Sequence, residues 1–288
     1  MHLISCLYQA ADRIGIVTGD SVGLIATGNG WPQSMLALID AGPARWSALA
    51  ADQDRAIDQR VPLSAVELRA PIPRPRKNIM CLGWNYAEHV RESAGSRNAE
   101  IPEHPVVFTK NTTSVNSPYG DIPWNPDVTT QLDWEVELAV IVGIGGHRIP
   151  AAEALYHVFG YTVINDISAR DLQFRHKQYF LGKSLDGTCP MGPVIVTADE
   201  IPDPQDLELR TWVNGEIKQS SSTRYQVFSI AAVMSILSRG MPLEPGDIIS
   251  TGTPGGVGFA RNPPEFLKPG DLVECEVQGI GRLRNLVR

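Results

Sequence analysis

The chain has 288 residues, of which 43% are hydrophobic and 20% are charged, so its composition is that of a globular protein rather than a disordered one. It carries 25 basic and 32 acidic residues, a formal net charge of -7, and no run of Lys or Arg that would give a nucleic-acid-binding protein its basic face. The longest apolar stretch, residues 138–144, is too short to cross a bilayer, and the first residues lack the pattern of a signal peptide. We therefore expect a cytoplasmic protein that binds neither nucleic acid nor a membrane.

Residues 1–70 are predicted to form a small N-terminal α/β domain. Its predicted elements are strands at residues 14–17, 21–26 and 63–68 and a helix at residues 35–39. The first two strands are expected to form a hairpin, because Thr18-Gly19-Asp20 between them is typical of a tight turn. Prolines recur within residues 71–77, where they impose extended backbone and exclude a helix, so we place a linker there.

Residues 78–288 are predicted to form the second domain, in which strands outnumber helices. Strands are expected at residues 79–82, 105–109, 136–142, 161–165, 194–197, 207–213, 247–251 and 272–277, and helices at residues 85–93, 151–158 and 229–238. Because strands and helices do not alternate regularly, the order of elements argues against a doubly wound parallel sheet or an α/β barrel. The sequence therefore predicts a β-rich α+β fold.

Two glutamates and an aspartate form a candidate metal site. Glu135 and Glu137 lie two residues apart at the start of an apolar strand, so their side chains point to the same face. Asp166 ends another apolar strand and would supply a third oxygen ligand, a donor set that suits Mg²⁺ or Mn²⁺. Each feature has an ordinary alternative, since paired glutamates are common on exposed strand surfaces and Asp166 could cap a helix.

Two helical pairs could also carry chemistry. His89 and Glu92 lie three residues apart in a predicted helix, where their side chains are neighbours. A carboxylate beside an imidazole fixes its tautomer and raises its basicity, as a water-activating general base requires. A solvated His–Glu pair on a helix surface is the alternative. Arg170 and Gln173 would share a helix face in the same way.

Two loops rich in glycine and proline follow. Lys183 lies in the first, residues 181–193, where it could be a functional group or a plain surface charge. The second, residues 251–258, resembles an anion-binding loop, because glycine lets backbone N–H groups converge. It is not a P-loop, since no Gly-Lys-Ser/Thr sequence follows.

Five motifs occur together and in a fixed order, which is more specific than any of them alone. They are N-Y-x-x-H-x-x-E at residues 85–92, D-x-E-x-E at 133–137, N-D-x-S-A-R-D-x-Q at 165–173, G-K-S-x-D-x-x-x-P-x-G-P at 182–193 and T-G-T-P-x-G-V-G at 251–258. This set resembles that of the fumarylacetoacetate hydrolase (FAH) superfamily over residues 78–288. The resemblance implies an FAH-type core, a mixed β-sandwich or roll, preceded by the small N-terminal domain of many bacterial members.

The resemblance implies a metal centre. Glu135, Glu137 and Asp166 match the ligands of Mg²⁺ or Mn²⁺ in the superfamily. Lys183 matches the lysine that contacts the substrate oxyanion beside the metal. In the superfamily the metal holds the carboxylate and keto oxygens of a pyruvyl unit and stabilises its enolate, so a small diketo acid is the expected substrate.

The resemblance implies substrate contacts and a catalytic dyad as well. The residues expected to hold the substrate carboxylate or keto oxygen are Arg170, Gln173, Thr253 and Lys110. For the last of these the match is incomplete, since Asn111 stands where the superfamily usually has proline. His89 and Glu92 match the dyad of members that use water, and Trp84 is expected to narrow the pocket around it. Membership further implies a homodimer.

We expect a metal-dependent hydrolase of carbon–carbon bonds in 2,4-diketo acids. Its substrates would be acylpyruvates such as maleyl- or fumarylpyruvate, or 2,4-diketo-3-deoxy sugar acids, and it would release pyruvate. The His–Glu dyad favours hydrolysis, because attack on the distal carbonyl needs an activated water. The alternative is a decarboxylase or isomerase of the homoprotocatechuate or oxaloacetate type. A non-catalytic binding protein on this scaffold is disfavoured, since no metal-ligand or dyad position is lost.

Overall fold

The structure is a computed structural model that describes residues 1–28, 30–93 and 100–288. Its strands are β1 (His2–Tyr8), β2 (Ala11–Thr18), β3 (Ser21–Ile25), β4 (Ile57–Pro62), β5 (Glu67–Arg69), β6 (Ile79–Gly83), β7 (Val106–Lys110), β8 (Val115–Asn116), β9 (Leu132–Asp133), β10 (Val136–Val142), β11 (Val158–Asn165), β12 (Ser168–Ala169), β13 (Cys189–Thr197), β14 (Glu208–Val213), β15 (Glu216–Ser222), β16 (Ile248–Ser250), β17 (Leu272–Val277) and β18 (Gly281–Leu286). Its α-helices are α1 (Met35–Asp40), α2 (Gly42–Ala51), α3 (Gln53–Ala56), α4 (Ala87–Ser93), α5 (Arg170–Arg175), α6 (Phe180–Lys183) and α7 (Ile230–Gly240). Among the described residues no helix is long and apolar enough to cross a membrane.

The strands of the described residues form three sheets. The largest has 12 strands and follows the order β4-β3-β2-β1-β13-β11-β10-β16-β6-β7, with β5 beside β1 and β8 beside β13. The others are the four-stranded sheet β15-β14-β17-β18 and the two-stranded sheet β12-β9. The large sheet is mixed, because β6 runs parallel to β16 and β8 to β13, whereas pairs such as β1–β13 and β10–β11 are antiparallel. The β-rich α+β fold expected from the sequence is confirmed.

The N-terminal strands extend the large sheet. β1 pairs with β13, with His2 opposite Val196, and β2, β3 and β4 follow outward from it. β2 and β3 form the expected hairpin, and α1 lies at the expected helix. β1 lies outside the elements expected from the sequence, because four of its consecutive residues are buried and the alternation of a half-exposed strand is missing. The division into residues 1–70, 71–77 and 78–288 stays a prediction.

β10 lies inside the large sheet and is buried on both faces. Val136, Leu138 and Val140 belong to a core shared with the four-stranded sheet, and Ala139 and Ile141 belong to a second core that α1 and α2 help to build. A strand enclosed on both faces has a continuous apolar run, as this strand does. Any carboxylate on it is therefore buried as well and needs a partner.

One predicted helix is largely absent. The helix expected at residues 151–158 is a 3₁₀ turn at Ala154–His157, after which Val158 begins β11. Leu155 and Tyr156 are 44% and 74% exposed, and of the apolar residues in this stretch only Ala154 and Val158 are buried, which is too narrow a face for a helix.

One predicted strand is also shorter than expected. The strand at residues 63–68 begins as a 3₁₀ turn, Leu63–Ala65, and only Glu67–Arg69 pairs with β1. The turn follows Pro62 and is fixed where the Leu63 amide donates to the carbonyl of Asp20 at 2.8 Å.

Candidate active site

Glu135, Glu137 and Asp166 converge in the interior of the protein. One carboxylate oxygen from each lies within 4.8 Å of the others, and all three side chains are buried. β10 and β11 are adjacent and antiparallel, with Val136 opposite Asn165, so the start of one strand meets the end of the other. The Asp166 amide donates to the Glu135 carbonyl at 2.8 Å, which fixes the two chain segments side by side. The sequence spacing therefore correctly predicts the shared face of the two glutamates, while burial excludes an exposed strand surface.

Three cationic side chains surround two of these carboxylates. Lys183 Nζ lies 2.7 Å from Glu135 Oε2 and 2.8 Å from Asp166 Oδ2. Lys110 Nζ lies 2.7 Å from Asp166 Oδ1, and an Arg170 terminal nitrogen lies 2.7 Å from Glu135 Oε1. Burial alone would raise the pKa of Glu135, but Lys183 and Arg170 outweigh it and lower that pKa to about 2. Two cations thus contact each of Glu135 and Asp166.

Glu137 is in a different environment. Its Oε2 accepts hydrogen bonds from Ser250 Oγ at 2.6 Å and from the Gly252 amide at 2.8 Å. Its Oε1 is buried and has no hydrogen-bond partner among the described residues. Burial, together with the negative charges of Asp166 and Glu135, raises the pKa of Glu137 well above its usual range.

These three carboxylates could hold a divalent cation. The unpartnered Oε1 of Glu137 is a buried acceptor that lacks a donor, and a cation would satisfy it. The donor set consists of oxygen atoms only, which hard cations such as Mg²⁺ and Mn²⁺ prefer. The residues present fit the metal that the sequence suggests.

Arg170 begins α5 and is almost fully buried beside the cluster. Its Nε contacts Asp133 Oδ2 at 2.8 Å, and a terminal nitrogen donates to Gln173 Oε1 at 2.9 Å, one helical turn away. Its other terminal nitrogen is the one that contacts Glu135. The guanidinium plane lies over the Phe259 ring, 4.4 Å from its centroid. The terminal nitrogen beside Glu135 makes no hydrogen bond within the described residues, so its N–H donors are available to a ligand.

The structure brings His89 and Glu92 together on α4. His89 Nδ1 lies 2.8 Å from Glu92 Oε1, and the Glu92 Oε2 accepts a hydrogen bond from the Gly256 amide at 2.8 Å. The Gly256 amide thereby fixes the Glu92 carboxylate, which in turn orients the imidazole. With Nδ1 engaged, the second ring nitrogen of His89 is the one left for a reacting group.

The glycine-rich loop, residues 251–259, binds carboxylates of the protein itself. Its amides donate to Glu137, to Glu92 and, from Gly258 and Phe259, to Asp133 at 2.7 and 3.0 Å. Gly256 has φ +104°, and a Cβ there would overlap the carbonyl oxygen of Lys218. The converging amides expected from the sequence are present, and their anions are three side chains of this chain.

Thr253 is held by a residue that carries no sequence signal. Its hydroxyl donates to the Val136 carbonyl at 3.0 Å and accepts from Gln219 Nε2 at 2.8 Å. Gln219 lies on β15 and also accepts from the Val136 amide at 3.1 Å, so it ties the loop to the start of β10. No motif contains Gln219, and only the folded structure identifies it.

A small cavity of about 90 Å³ joins most of the candidate residues. The predicted site residues in its wall are His89, Glu135, Arg170, Gln173, Lys183 and Thr253, and the aromatic ones are Trp84, Phe108, Phe174, Tyr179 and Phe259. Lys110 lies behind Asp166 and outside this wall, fully buried, with its ammonium donating to the Ile167 carbonyl at 3.1 Å. Its expected contact with the substrate stays a prediction.

Residues 78–288, which contain all five motifs and the whole cavity wall, match the family model described as "Fumarylacetoacetate (FAA) hydrolase C-terminal". The chain belongs to the fumarylacetoacetate hydrolase family. The match covers well over half of the chain and begins where the sequence predicts the second domain.

Relatives within the family extend the likeness beyond this region. The chain is 53% identical over 226 residues to oxaloacetate tautomerase YisK of Bacillus subtilis (strain 168), a match covering 78% of this chain and 74% of the relative. It is 41% identical over 288 residues to the mitochondrial oxaloacetate tautomerase FAHD2A of Bos taurus, covering 97% of this chain and 88% of the relative. The solved structure of maleylpyruvate hydrolase from Sphingobium sp. SYK-6, in complex with manganese(II) and pyruvate, is similar with a TM-score of 0.79 at 29% identity, covering 100% of this chain and 98% of that one. The FAH-type fold expected from the sequence is confirmed.

Proposed function

We propose that this family member is a metal-dependent oxaloacetate tautomerase, which interconverts the keto and enol forms of its substrate. The observation that carries the proposal is the identity with two relatives named as oxaloacetate tautomerases, both matched over most of their length. An isomerase acting on oxaloacetate is the alternative to a hydrolase that the sequence analysis gives.

The carboxylate cluster would hold the metal in this reaction. Glu135, Glu137 and Asp166 are the ligands, and the ion when bound supplies positive charge that stabilises the enolate oxygen. Mn²⁺ and Mg²⁺ are the candidates, and the manganese-containing structural relative supports the first.

Substrate binding is assigned to the cationic wall of the cavity. Lys183 reaches the cavity from α6 and Arg170 from α5, so both present N–H donors where a 2-keto acid would place its oxygens. Charge-assisted hydrogen bonds of this kind are about twice as strong as neutral ones. Gln173 and Thr253 line the same cavity and complete the polar side of the pocket.

Proton transfer is assigned to His89. Tautomerisation moves one proton between C3 and the keto oxygen, so the enzyme needs a group that accepts a proton at one atom and returns it at another. The second ring nitrogen of His89 has no hydrogen-bond partner among the described residues and serves this role, because Glu92 holds Nδ1. Glu92 also stabilises the imidazolium that forms while the proton is carried.

Acylpyruvate hydrolysis is the second candidate function. The likeness to a maleylpyruvate hydrolase favours it, as does the His89–Glu92 pair. The pair does not discriminate between the two reactions, however, since a base able to deprotonate water can also deprotonate an acidic C3. The two reactions differ in product, because hydrolysis releases pyruvate and tautomerisation does not.

The test supplies the enol form of oxaloacetate and follows the loss of its enol absorbance. Pyruvate is measured in these samples, where it would report decarboxylation of oxaloacetate. It is also measured in parallel samples that contain an acylpyruvate, where it would report hydrolysis. We expect rapid loss of the enol with Mn²⁺ and no pyruvate, and loss of that activity in EDTA. Glu137→Ala at equal concentration is the control for catalysis by the buffer. Pyruvate release from the acylpyruvate, without faster tautomerisation, would overturn the proposal.

A further inference from the structure

Trp84 has a backbone conformation that side chains rarely adopt. Its φ is +55°, in the left-handed region, which a bulky residue keeps only where the surrounding structure enforces it. Trp84 directly follows β6 and precedes the buried Asn85 in the first motif. Backbone strain of this kind recurs at active sites and ligand-binding sites.

Asn85 supplies the contacts that enforce this conformation. Its side-chain amide donates to the Thr251 carbonyl at 2.8 Å and to the Phe228 carbonyl at 3.2 Å, and accepts from the Phe228 amide at 2.8 Å. Its own carbonyl accepts from the Val227 amide at 2.7 Å. The backbone of Trp84 is therefore fixed between the end of β6, which pairs with β16 and β7, and a fully engaged asparagine.

The Trp84 indole stands at the boundary between the cavity and solvent. It is 39% exposed and lines the same cavity as His89, Arg170 and Lys183. At about 90 Å³ the cavity is far smaller than the roughly 300–1,000 Å³ of sites that hold drug-sized ligands. Its size therefore limits what can extend from a bound 2-keto acid.

The other aromatic residues of the wall are committed to neighbours. Phe108 packs edge-on against Tyr179 with ring centroids 5.4 Å apart, and Phe174 packs against Phe259 at 5.5 Å. Phe259 also supports the guanidinium of Arg170. Trp84 takes part in no such aromatic pair among the described residues, so replacing it enlarges the cavity without removing a support of the polar groups.

We propose that Trp84 is a specificity-determining residue that limits ligands to 2-keto acids with a compact group beyond C3. Oxaloacetate, whose group there is a carboxylate, satisfies this limit, whereas acylpyruvates with a long or aromatic acyl group exceed it. The inference names the substrate class of the proposed tautomerase and in that sense rests on it. It concerns the shape of the ligand, and therefore applies to binding as well as to turnover.

The experiment compares two ligands that are not turned over. Oxamate and N-phenyloxamate share a 2-oxo acid and differ only in a phenyl group, and their affinities for the Mn²⁺-loaded full chain are measured by calorimetry. The variants are Trp84→Leu, which shortens the wall, and Trp84→Gly, which also suits the positive φ and is expected to fold. Trp212→Leu is the matched control, because Trp212 is a half-buried residue of β14 outside the cavity wall.

We expect the wild type to bind oxamate and to discriminate against N-phenyloxamate. The ratio of the two dissociation constants should shift by at least about tenfold toward N-phenyloxamate in both Trp84 variants, the usual effect of size exclusion in an apolar pocket, and should stay unchanged in Trp212→Leu. An unchanged ratio in both Trp84 variants, or an equal loss of affinity for both ligands, overturns the proposal. Because no turnover is measured, failure of the tautomerase assay leaves this comparison intact.

Discussion

Asp133 Oδ2 contacts Arg170 Nε at 2.8 Å, and the pair lies almost entirely out of contact with water. The same carboxylate accepts hydrogen bonds from the amides of Trp134, Gly258 and Phe259. One buried aspartate therefore joins the end of β9, the glycine-rich loop and the guanidinium that contacts Glu135. Its role is to position Arg170, since Asp133 itself does not line the cavity.

Asp133→Asn should lower both stability and ligand affinity. The change leaves the buried guanidinium of Arg170 with one fewer charge partner, and breaking a buried pair in this way costs about 3–5 kcal/mol. Urea unfolding measures the stability, and inhibition by oxalate measures the binding of a planar 2-keto acid analogue. Asp40→Asn is the control, because it breaks an exposed Asp–Arg pair with Arg76 whose loss should cost about 1 kcal/mol or less. Equal effects of the two changes would contradict the positioning role.

Lys110→Met should destabilise the metal-free protein and increase its response to metal. Lys110 compensates Asp166 from behind the cluster, so its removal leaves that buried carboxylate with Lys183 alone. A divalent cation would restore the missing positive charge and would no longer be repelled by the lysine. We therefore expect a larger rise in melting temperature on adding Mn²⁺ than the wild type shows. Lys218→Met, which removes the partner of Glu216 and Glu265 away from the carboxylate cluster, should respond to Mn²⁺ as the wild type does. A smaller Mn²⁺ response in Lys110→Met would contradict this role.

Glu137→Gln should stabilise the metal-free protein while weakening metal binding. A glutamine keeps an oxygen for Ser250 and Gly252 and offers an N–H to the neighbouring carboxylates in place of the unpartnered Oε1. Removing a buried unpaired polar atom is worth about 1–3 kcal/mol.

The effect of Glu137→Gln should depend on pH with a definite sign. Because the pKa of Glu137 is raised in the folded state, the folded protein holds a proton that the unfolded chain has lost above its ordinary value of 4.5. This group therefore makes wild-type stability in EDTA fall as pH rises above 4.5, and the glutamine variant lacks that fall. Thermal unfolding in EDTA between pH 5 and pH 8 should show the advantage of the variant growing with pH. A constant difference across this range would refute the raised pKa.

The carboxylate cluster is predictable from the sequence because strand geometry is local. The two-residue spacing of Glu135 and Glu137 fixes a shared face, and Asp166 follows an apolar strand whose pairing with the first brings it close. The partners of these groups are not predictable in the same way. Asp133, Gln219 and Lys110 act across the fold, and contacts between distant segments leave no periodic pattern in the chain.

The reaction is the part that sequence reasoning places least securely. The spacing of His89 and Glu92 correctly predicts their contact, and such a contact is what a general acid–base group requires. It does not identify the atom that the group deprotonates, since water and an acidic carbon make the same demand on an imidazole. The hydrolase hypothesis takes the first possibility, and the relatives named as tautomerases favour the second.

His89→Ala should separate proton transfer from substrate binding. We expect oxaloacetate tautomerisation to fall by about 10² to 10⁴, the usual contribution of a general base, while inhibition by oxalate changes little. Lys183→Ala should instead weaken oxalate strongly, because Lys183 contacts the carboxylates beside which the ligand would bind. Glu92→Gln should lose less activity than His89→Ala, since it perturbs the imidazole without removing it.

Turnover and oxalate inhibition are measured side by side for these variants. His147→Ala is the control, because His147 is an exposed histidine outside the cavity wall. The separation of roles requires that His89→Ala and Lys183→Ala differ in oxalate affinity. If His89→Ala weakens oxalate as much as Lys183→Ala does, His89 is a binding group and another side chain must move the proton. If His89→Ala tautomerises oxaloacetate at the wild-type rate yet no longer hydrolyses an acylpyruvate, the dyad serves water activation, and hydrolysis becomes the better account of its geometry.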